Sequence, residues 1–163
     1  MIMMEGKKAQ DSSVTLVYQM TQQDANLSGN VHGGVVMKHI DTAAGIVAAR
    51  HASRNVVTAS IERLDFHSPV FIGDLLSVKA SLNMVGRTSL EVGVRVEAEN
   101  FLTGEVRHTA SAYLTFVALD QGHPTEVPPL ILETEEERRR YREALARRDL
   151  RLAEKQREKK SQG

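Results

Sequence analysis

Residues 29–52 read GNVHGGVVMKHIDTAAGIVAARHA, and this stretch decides the fold. From Gly33 onward it contains no proline. Val36, Ile40, Ala43 and Val47 recur at i, i+4, i+7 and i+11, a stripe that only a helix gathers on one side. Ala43, Ala44, Gly45, Ala48 and Ala49 keep that helix thin, which predicts close packing against a curved surface. The polar residues 21–30 before it end in Ser28, Gly29 and Asn30 and read as a loop.

Working outward, Val14, Leu16, Tyr18 and Met20 alternate with Thr15, Val17 and Gln19, the pattern of a short strand. Four strand-like segments follow the helix, over residues 56–66, 75–85, 88–99 and 107–117. His67, Ser68 and Pro69 end the first, Gly86 and Arg87 make a tight turn, and residues 100–104 supply another. Leu76, Val78, Ala80, Leu82 and Met84 share one face. Leu90, Val92, Val94, Val96 and Ala98 alternate with Ser89, Glu91, Arg95 and Glu97, which predicts one dry face and one wet face. The last segment sets His108, Ala110, Ala112, Leu114 and Phe116 on one side. A strand, a long helix and four strands joined mostly by tight turns predict an α+β domain, an antiparallel sheet wrapped around a long central helix.

The expected organisation is an N-terminal tail over 1–13, the folded domain over 14–120, a linker over 121–132 containing Pro124, Pro128 and Pro129, and a charged C-terminal helix over 133–163. Thr134 with Glu137 three residues on is a capping-box pattern. Residues 133–160 hold 11 basic and 8 acidic side chains, with Glu early and Arg or Lys late, as the helix dipole favours. Tyr141, Leu145 and Leu152 are the main apolar positions, so the helix is expected to be mostly solvated and to dock lightly.

Hydrophobic residues make up 41 % of the 163, enough for a core, but aromatics only 4 %, so Val, Leu, Ile, Ala and Met must build it. A formal net charge of zero argues against electrostatic capture of nucleic acid or an anionic membrane. The absence of cysteine excludes disulfides, a thiol nucleophile and thiolate metal ligands. No apolar run has the length of a signal peptide or a membrane span, and a cytoplasmic protein is expected.

The chemistry lies in the opening stretch. Gly33 and Gly34 admit a ligand close to the backbone. As first helical residues they carry N–H groups without internal partners at the positive end of the helix dipole, suited to a carbonyl gaining negative charge. Asp41 lies seven residues after Gly34, on the same side and about 10 Å along the axis. That is too far for both to touch one carbonyl, and a second subunit with an antiparallel helix would close the gap.

The runs 29–34 and 40–44, ending in Arg50-His51-Ala52, resemble the signature helix of hotdog-fold acyl-CoA thioesterases, most closely the cytosolic acyl-CoA hydrolase group. The similarity continues through Val57-Thr58-Ala59-Ser60, Ser68-Pro69, Gly73-Asp74, Glu99-Asn100, Leu102-Thr103-Gly104 and Glu126-Val127-Pro128-Pro129. The resemblance implies a hotdog domain that dimerises side by side, binds acyl-CoA at the interface and assembles further into a homohexamer, a trimer of dimers. It implies that Asp41 activates water or attacks the thioester and that Asn30 assists from the partner subunit. Some relatives carry two hotdog domains in one chain, whereas this one holds both residues in a single domain. No cofactor is expected. A thiolate leaves readily, thiol pKa values lying near ~8.5, so hydrolysis needs only a carbonyl polariser, a base or nucleophile and a placed water. No G-x-S-x-G elbow offers a serine triad instead.

His32, His39 and His51 invite a metal reading, but their spacing lacks an acidic partner, and no metal is expected. His32 is expected to orient the loop. Arg87, Thr88 and Ser89 read as a hairpin turn, and the resemblance implies that it lies near the nucleotide end of CoA, with Arg87 pairing a phosphate. The rival functions are a hotdog hydratase or dehydratase using His32 and Asp41, and a non-enzymatic acyl-CoA sensor.

Overall fold

The computed structural model describes residues 3–163. In chain order it holds β1 (Lys7–Lys8), β2 (Val14–Gln19), α1 (Gly33–Ala52), β3 (Asn55–Phe66), β4 (Leu75–Val85), β5 (Ser89–Asn100), β6 (Glu105–Asp120), β7 (His123–Pro124), β8 (Leu130–Ile131) and α2 (Glu135–Ser161). The main sheet runs β2-β4-β5-β6-β3 with every neighbour antiparallel, while β7 extends β6, and β1 pairs with β8 apart from it. The inward residues of β4, β5 and β6 close over α1, the hotdog arrangement the resemblance implies.

The helical stripe explains the packing. Val36, Ile40, Ala43 and Val47 are all buried against the sheet. Gly45 faces Phe116, whose ring carbon lies 3.7 Å from where a Cβ would stand, so the thin helix meets a bulky strand residue. The two-residue alternation of β4 and β5 likewise buries each expected inward residue.

Three expectations need correction. Glu91, placed on a wet face of β5, is 3 % exposed, because α2 lies over that face. Arg147 of α2 forks onto both Glu91 oxygens at 2.8 Å and stacks over the Tyr113 ring, its guanidinium carbon 3.6 Å from the centroid. Arg151 donates to Glu62 and to Thr115. The helix therefore docks firmly through guanidinium groups and buried Ala144, while Leu152 stays exposed. Gly93 makes room for this arrangement, since a Cβ there would stand 2.8 Å from Asn83 Nδ2, which itself donates to Glu91.

The third correction concerns His108. Val96 pairs with Ala110 but Glu97 pairs with His108, so Thr109 bulges inward, fully buried, and donates to Val96 O. His108 is turned to the outer face, where its Nε2 lies 2.7 Å from Ser111 Oγ.

β3 is the sheet edge, paired only with β6 among the described residues. Register shifts interrupt that pairing between Thr58 and Ser60 and between Glu62 and Leu64. Among the described residues no helix is long and apolar enough to cross a membrane.

Candidate active site

α1 begins where His32, in extended backbone, caps it. His32 Nδ1 accepts the Gly34 N–H at 3.0 Å, and His32 O accepts from Val35 and Val36. Of the two glycine N–H groups read as carbonyl polarisers, Gly34 is thus already engaged within the chain. Gly33 N–H has no partner among the described residues, which leaves it as the free donor at the positive helix end. The same bond commits His32 to the helix cap and away from Asp41, against the dehydratase reading.

The loop before His32 is tied by Asn26. Its Oδ1 accepts from Ser28 N at 2.9 Å and from Asn30 N at 3.1 Å, and its own N–H donates to Asn30 O at 2.7 Å. Gly29 takes φ 84°, which closes this tight loop. The side-chain Nδ2 groups of Asn26 and Asn30 have no partner among the described residues. Val31 N donates to Val70 O, fixing the loop to the segment after β3.

Asp41 lies partly exposed on α1 and faces β3. Thr58 Oγ1 donates to Asp41 Oδ1 at 2.7 Å, and Oδ2 has no partner among the described residues. Among the described residues no cation pairs with this carboxylate. It is therefore oriented by a hydroxyl yet keeps one oxygen free to take a proton or attack carbon. Thr58 escaped the sequence reading because nothing in residues 56–66 marks one strand threonine as the one opposite Asp41.

Gly33 lies at the other end of β3, where Phe66 Cζ stands 3.8 Å from its missing Cβ. A cavity of about 350 Å³ opens there, lined by Val31, Gly33, Val36, Phe66, Pro69 and Val70 among others. The structure thus does not bring Gly33 and Asp41 of one chain together.

At the turn after β4, Gly86 N donates to Ser89 O at 2.8 Å with Arg87 and Thr88 at the tip. Arg87 is exposed and its Nη1 lies 3.8 Å from Glu126. No cluster of three His, Asp or Glu placed to hold a metal occurs among the described residues.

A family profile described as the thioesterase superfamily matches residues 28–104. A Bacillus subtilis protein, the uncharacterized acyl-CoA thioester hydrolase YkhA, is 40 % identical over 134 residues, covering 82 % of this chain and 78 % of that protein. An apo-hexameric acyl-CoA thioesterase superposes with a TM-score of 0.88 at 39 % identity, over 92 % of this chain and 97 % of that one. An acyl-CoA hydrolase from Staphylococcus aureus, solved with butyryl coenzyme A, coenzyme A and coenzyme A disulfide, gives 0.86 at 35 % identity, over 95 % of each. That enzyme was also solved with an aspartate, an asparagine and a threonine each changed to alanine. The asparagine lies 15 positions before the aspartate and the threonine 17 after it. In this chain Asn26 lies 15 before Asp41, and Thr58 lies 17 after it.

Proposed function

This chain belongs to the thioesterase superfamily, and from that premise we propose that it hydrolyses acyl-CoA to a free fatty acid and CoA at a site shared between two copies. The observation that carries the assignment is the Thr58–Asp41 hydrogen bond with one carboxylate oxygen left free. Asp41 serves as general base toward water or as nucleophile toward the thioester carbonyl. As base, Asp41 takes a proton from water while the water oxygen bonds the carbonyl carbon and the C–S bond to CoA breaks. As nucleophile, its oxygen displaces the thiolate to give a mixed anhydride, which water then hydrolyses to the free acid. Gly33 N–H polarises the carbonyl from the helix end.

The shared spacing with the S. aureus variants favours Asn26, ahead of Asn30, as the asparagine of the site. Its Oδ1 is held by two backbone N–H groups, which aims the amide Nδ2 outward as a donor. Asn30 side-chain chemistry has no comparable orientation.

Two symmetries support the second copy. Val57, Ile61 and Phe66 of the edge strand are 43 %, 41 % and 51 % exposed. Thr58, beside Asp41, and Phe66, beside Gly33, lie four residues either side of Glu62. An antiparallel second β3 paired about Glu62 therefore sets Thr58 of one copy against Phe66 of the other. On α1, Asp41 and Gly33 lie four residues either side of Met37, itself 39 % exposed. Antiparallel helices crossing at Met37 set Asp41 of one copy against Gly33 of the other. A single two-fold axis satisfies both, and it closes the gap of about 12 Å that separates Gly33 from Asp41 along one helix. Three such dimers form the hexamer, a reading supported by the hexameric neighbour.

Thiol release from a panel of acyl-CoAs of increasing chain length tests the activity. Turnover of at least one member, lost in Asp41→Asn, is the expected result. Binding without thiol release across the panel would leave an acyl-CoA sensor instead.

A further inference from the structure

The cavity beside Gly33 has a floor and a rim of different character. Val31, Val36 and Val70 form the floor, are all buried, and belong to the apolar core. Gly33, Phe66 and Pro69 are exposed and form the rim. The two polar residues of the lining, His67 and Ser68, are engaged with β6. Ser68 Oγ donates to His108 O at 3.1 Å, His67 N donates to Thr109 O, and the His67 ring packs on that of His108 with centroids 4.6 Å apart. Among the described residues no Asp, Glu, Lys or Arg lines this space. An apolar occupant that displaces water from it is stabilised in proportion to the surface it buries.

Position ties the cavity to the reaction. Gly33, with its free N–H, stands at the rim, and Phe66 Cζ lies 3.8 Å from the place of a Gly33 Cβ. The two-fold axis proposed above sets Thr58 and Asp41 of the second copy against Phe66 and Gly33, so the reacting carbonyl sits over the rim. Two arms leave that carbonyl. The CoA arm ends in charged phosphates and stays in water, so the arm that descends to the valines is the acyl chain.

Volume sets a limit on that chain. A methylene occupies about the space of one water, ~30 Å³, so a cavity of about 350 Å³ accommodates roughly ten chain carbons. The Val31 N to Val70 O hydrogen bond, 2.9 Å, ties the floor together. A longer chain has to turn back over the rim into water.

We propose that this cavity seats the acyl chain to a depth of about ten carbons, its length set by Val70 at the floor and Phe66 at the rim. The substrates are then short- and medium-chain acyl-CoA. The inference rests on the acyl-CoA reading above and adds the substrate class to it.

The test measures kcat/KM from acetyl-CoA to stearoyl-CoA, each below the concentration at which it forms micelles. The parent should gain about three- to fourfold per added methylene up to about ten carbons and no further. Val70→Phe fills the floor and should end the gain about two carbons earlier, whereas Phe66→Ala opens the rim and should extend it by about three. Val70→Leu and Phe66→Leu are milder changes in the same two directions and serve where either variant fails to fold. Opposite displacement of the end point is the decisive result, because lost stability or a weakened dimer lowers the rate on every chain alike. A gain that continues evenly to stearoyl-CoA, end points that do not move, or end points that move the same way overturn the acyl seat. A parent that hydrolyses no acyl-CoA of any length overturns the acyl-CoA reading together with the seat. Hydrolysis with a flat chain-length profile overturns the seat alone.

Discussion

Thr58 on the edge strand and Asp41 on the central helix are joined by a 2.7 Å hydrogen bond in which the hydroxyl donates and the carboxylate accepts. The bond uses one carboxylate oxygen and fixes the plane of the group, so the second oxygen is presented in one direction. It also ties the reacting group to the strand read as the dimer edge. Asp41→Asn should lower kcat by about 10²- to 10⁴-fold, the usual scale for a general base. Folding should survive, because Asn can still accept from Thr58. Thr58→Val, which removes the donor at similar volume, should cost about tenfold, and Thr58→Ser should restore most of it. Steady-state kinetics with circular dichroism on the same samples check both, and parental activity in Asp41→Asn would remove it from the mechanism.

Asn26 and Asn30 are separable by chemistry. Asn26→Asp keeps the oxygen that accepts from Ser28 N and Asn30 N but replaces the Nδ2 donor. It should lower kcat by about a hundredfold with the loop intact, a larger effect than Asn30→Asp gives. The reverse order of effects would return the role to Asn30.

Arg147 and Glu91 form a forked ion pair in which Glu91 is almost fully buried. Arg147→Ala strands that carboxylate and should cost about 3 kcal/mol of stability. Replacing both partners with apolar residues, Glu91→Leu with Arg147→Met, should recover most of the loss, because the desolvation penalty goes with the charges. Urea denaturation of the two single variants and the double variant decides it. A double variant no more stable than Arg147→Ala would mean the pair contributes through geometry that apolar packing cannot replace.

Acid should destabilise the fold through His51. Its ring is buried, with Nε2 donating to Pro128 O at 2.8 Å and Nδ1 left without a partner. Burial lowers its pKa below the ordinary 6.5, the bond to Pro128 O opposes that shift, and nearby Lys7 adds to it. Protonation would bury an unpaired N–H. The folded state therefore binds this proton less readily than the unfolded chain. The stability it contributes is fully present above about pH 6.5 and is lost as pH falls from there through the lowered folded pKa. His39, stacked on Tyr18 and also lowered by burial, acts with the same sign. His51→Gln should flatten the slope of stability between about pH 7 and pH 5. An unchanged slope would assign the acid sensitivity elsewhere.

The sequence revealed what repeats at short period. The α1 stripe and the alternation on β4 and β5 were readable because each residue's burial follows from its neighbours two to four positions away. Glu91 was misread for the complementary reason, since the group that covers it, Arg147, lies 56 residues further on. A bulge erases parity, and the buried Thr109 moved His108 to the opposite face with no local signal. Of the candidate site, Asp41 and the glycine helix start stood out by their spacing together with the resemblance of that stretch to the family's helix, and spacing alone did not single them out. The Thr58 contact spans two elements, and the cap that occupies Gly34 N–H depends on which nitrogen His32 turns inward.

The shared site makes a quantitative demand on mixtures of variants. If Asp41 of one copy works with Gly33 and Asn26 of the other, Asn26→Asp and Asp41→Asn homodimers are each inactive. Random re-pairing of equal amounts yields about half heterodimers, and each heterodimer holds one intact site and one doubly altered site. With independent sites, about a quarter of parental activity should return. Subunit exchange is followed separately by mass spectrometry of tagged copies, so a failure to mix is not mistaken for a failure to complement. Complete exchange with no recovered activity would sink the shared site. Met37→Glu supplies the converse measurement, because it places two like charges where the proposed two-fold axis brings the helices together. It should convert the protein to smaller species on size-exclusion chromatography and abolish turnover, although Asp41, Thr58 and Asn26 are untouched. A Met37→Glu monomer with parental activity would show that one chain holds a complete site.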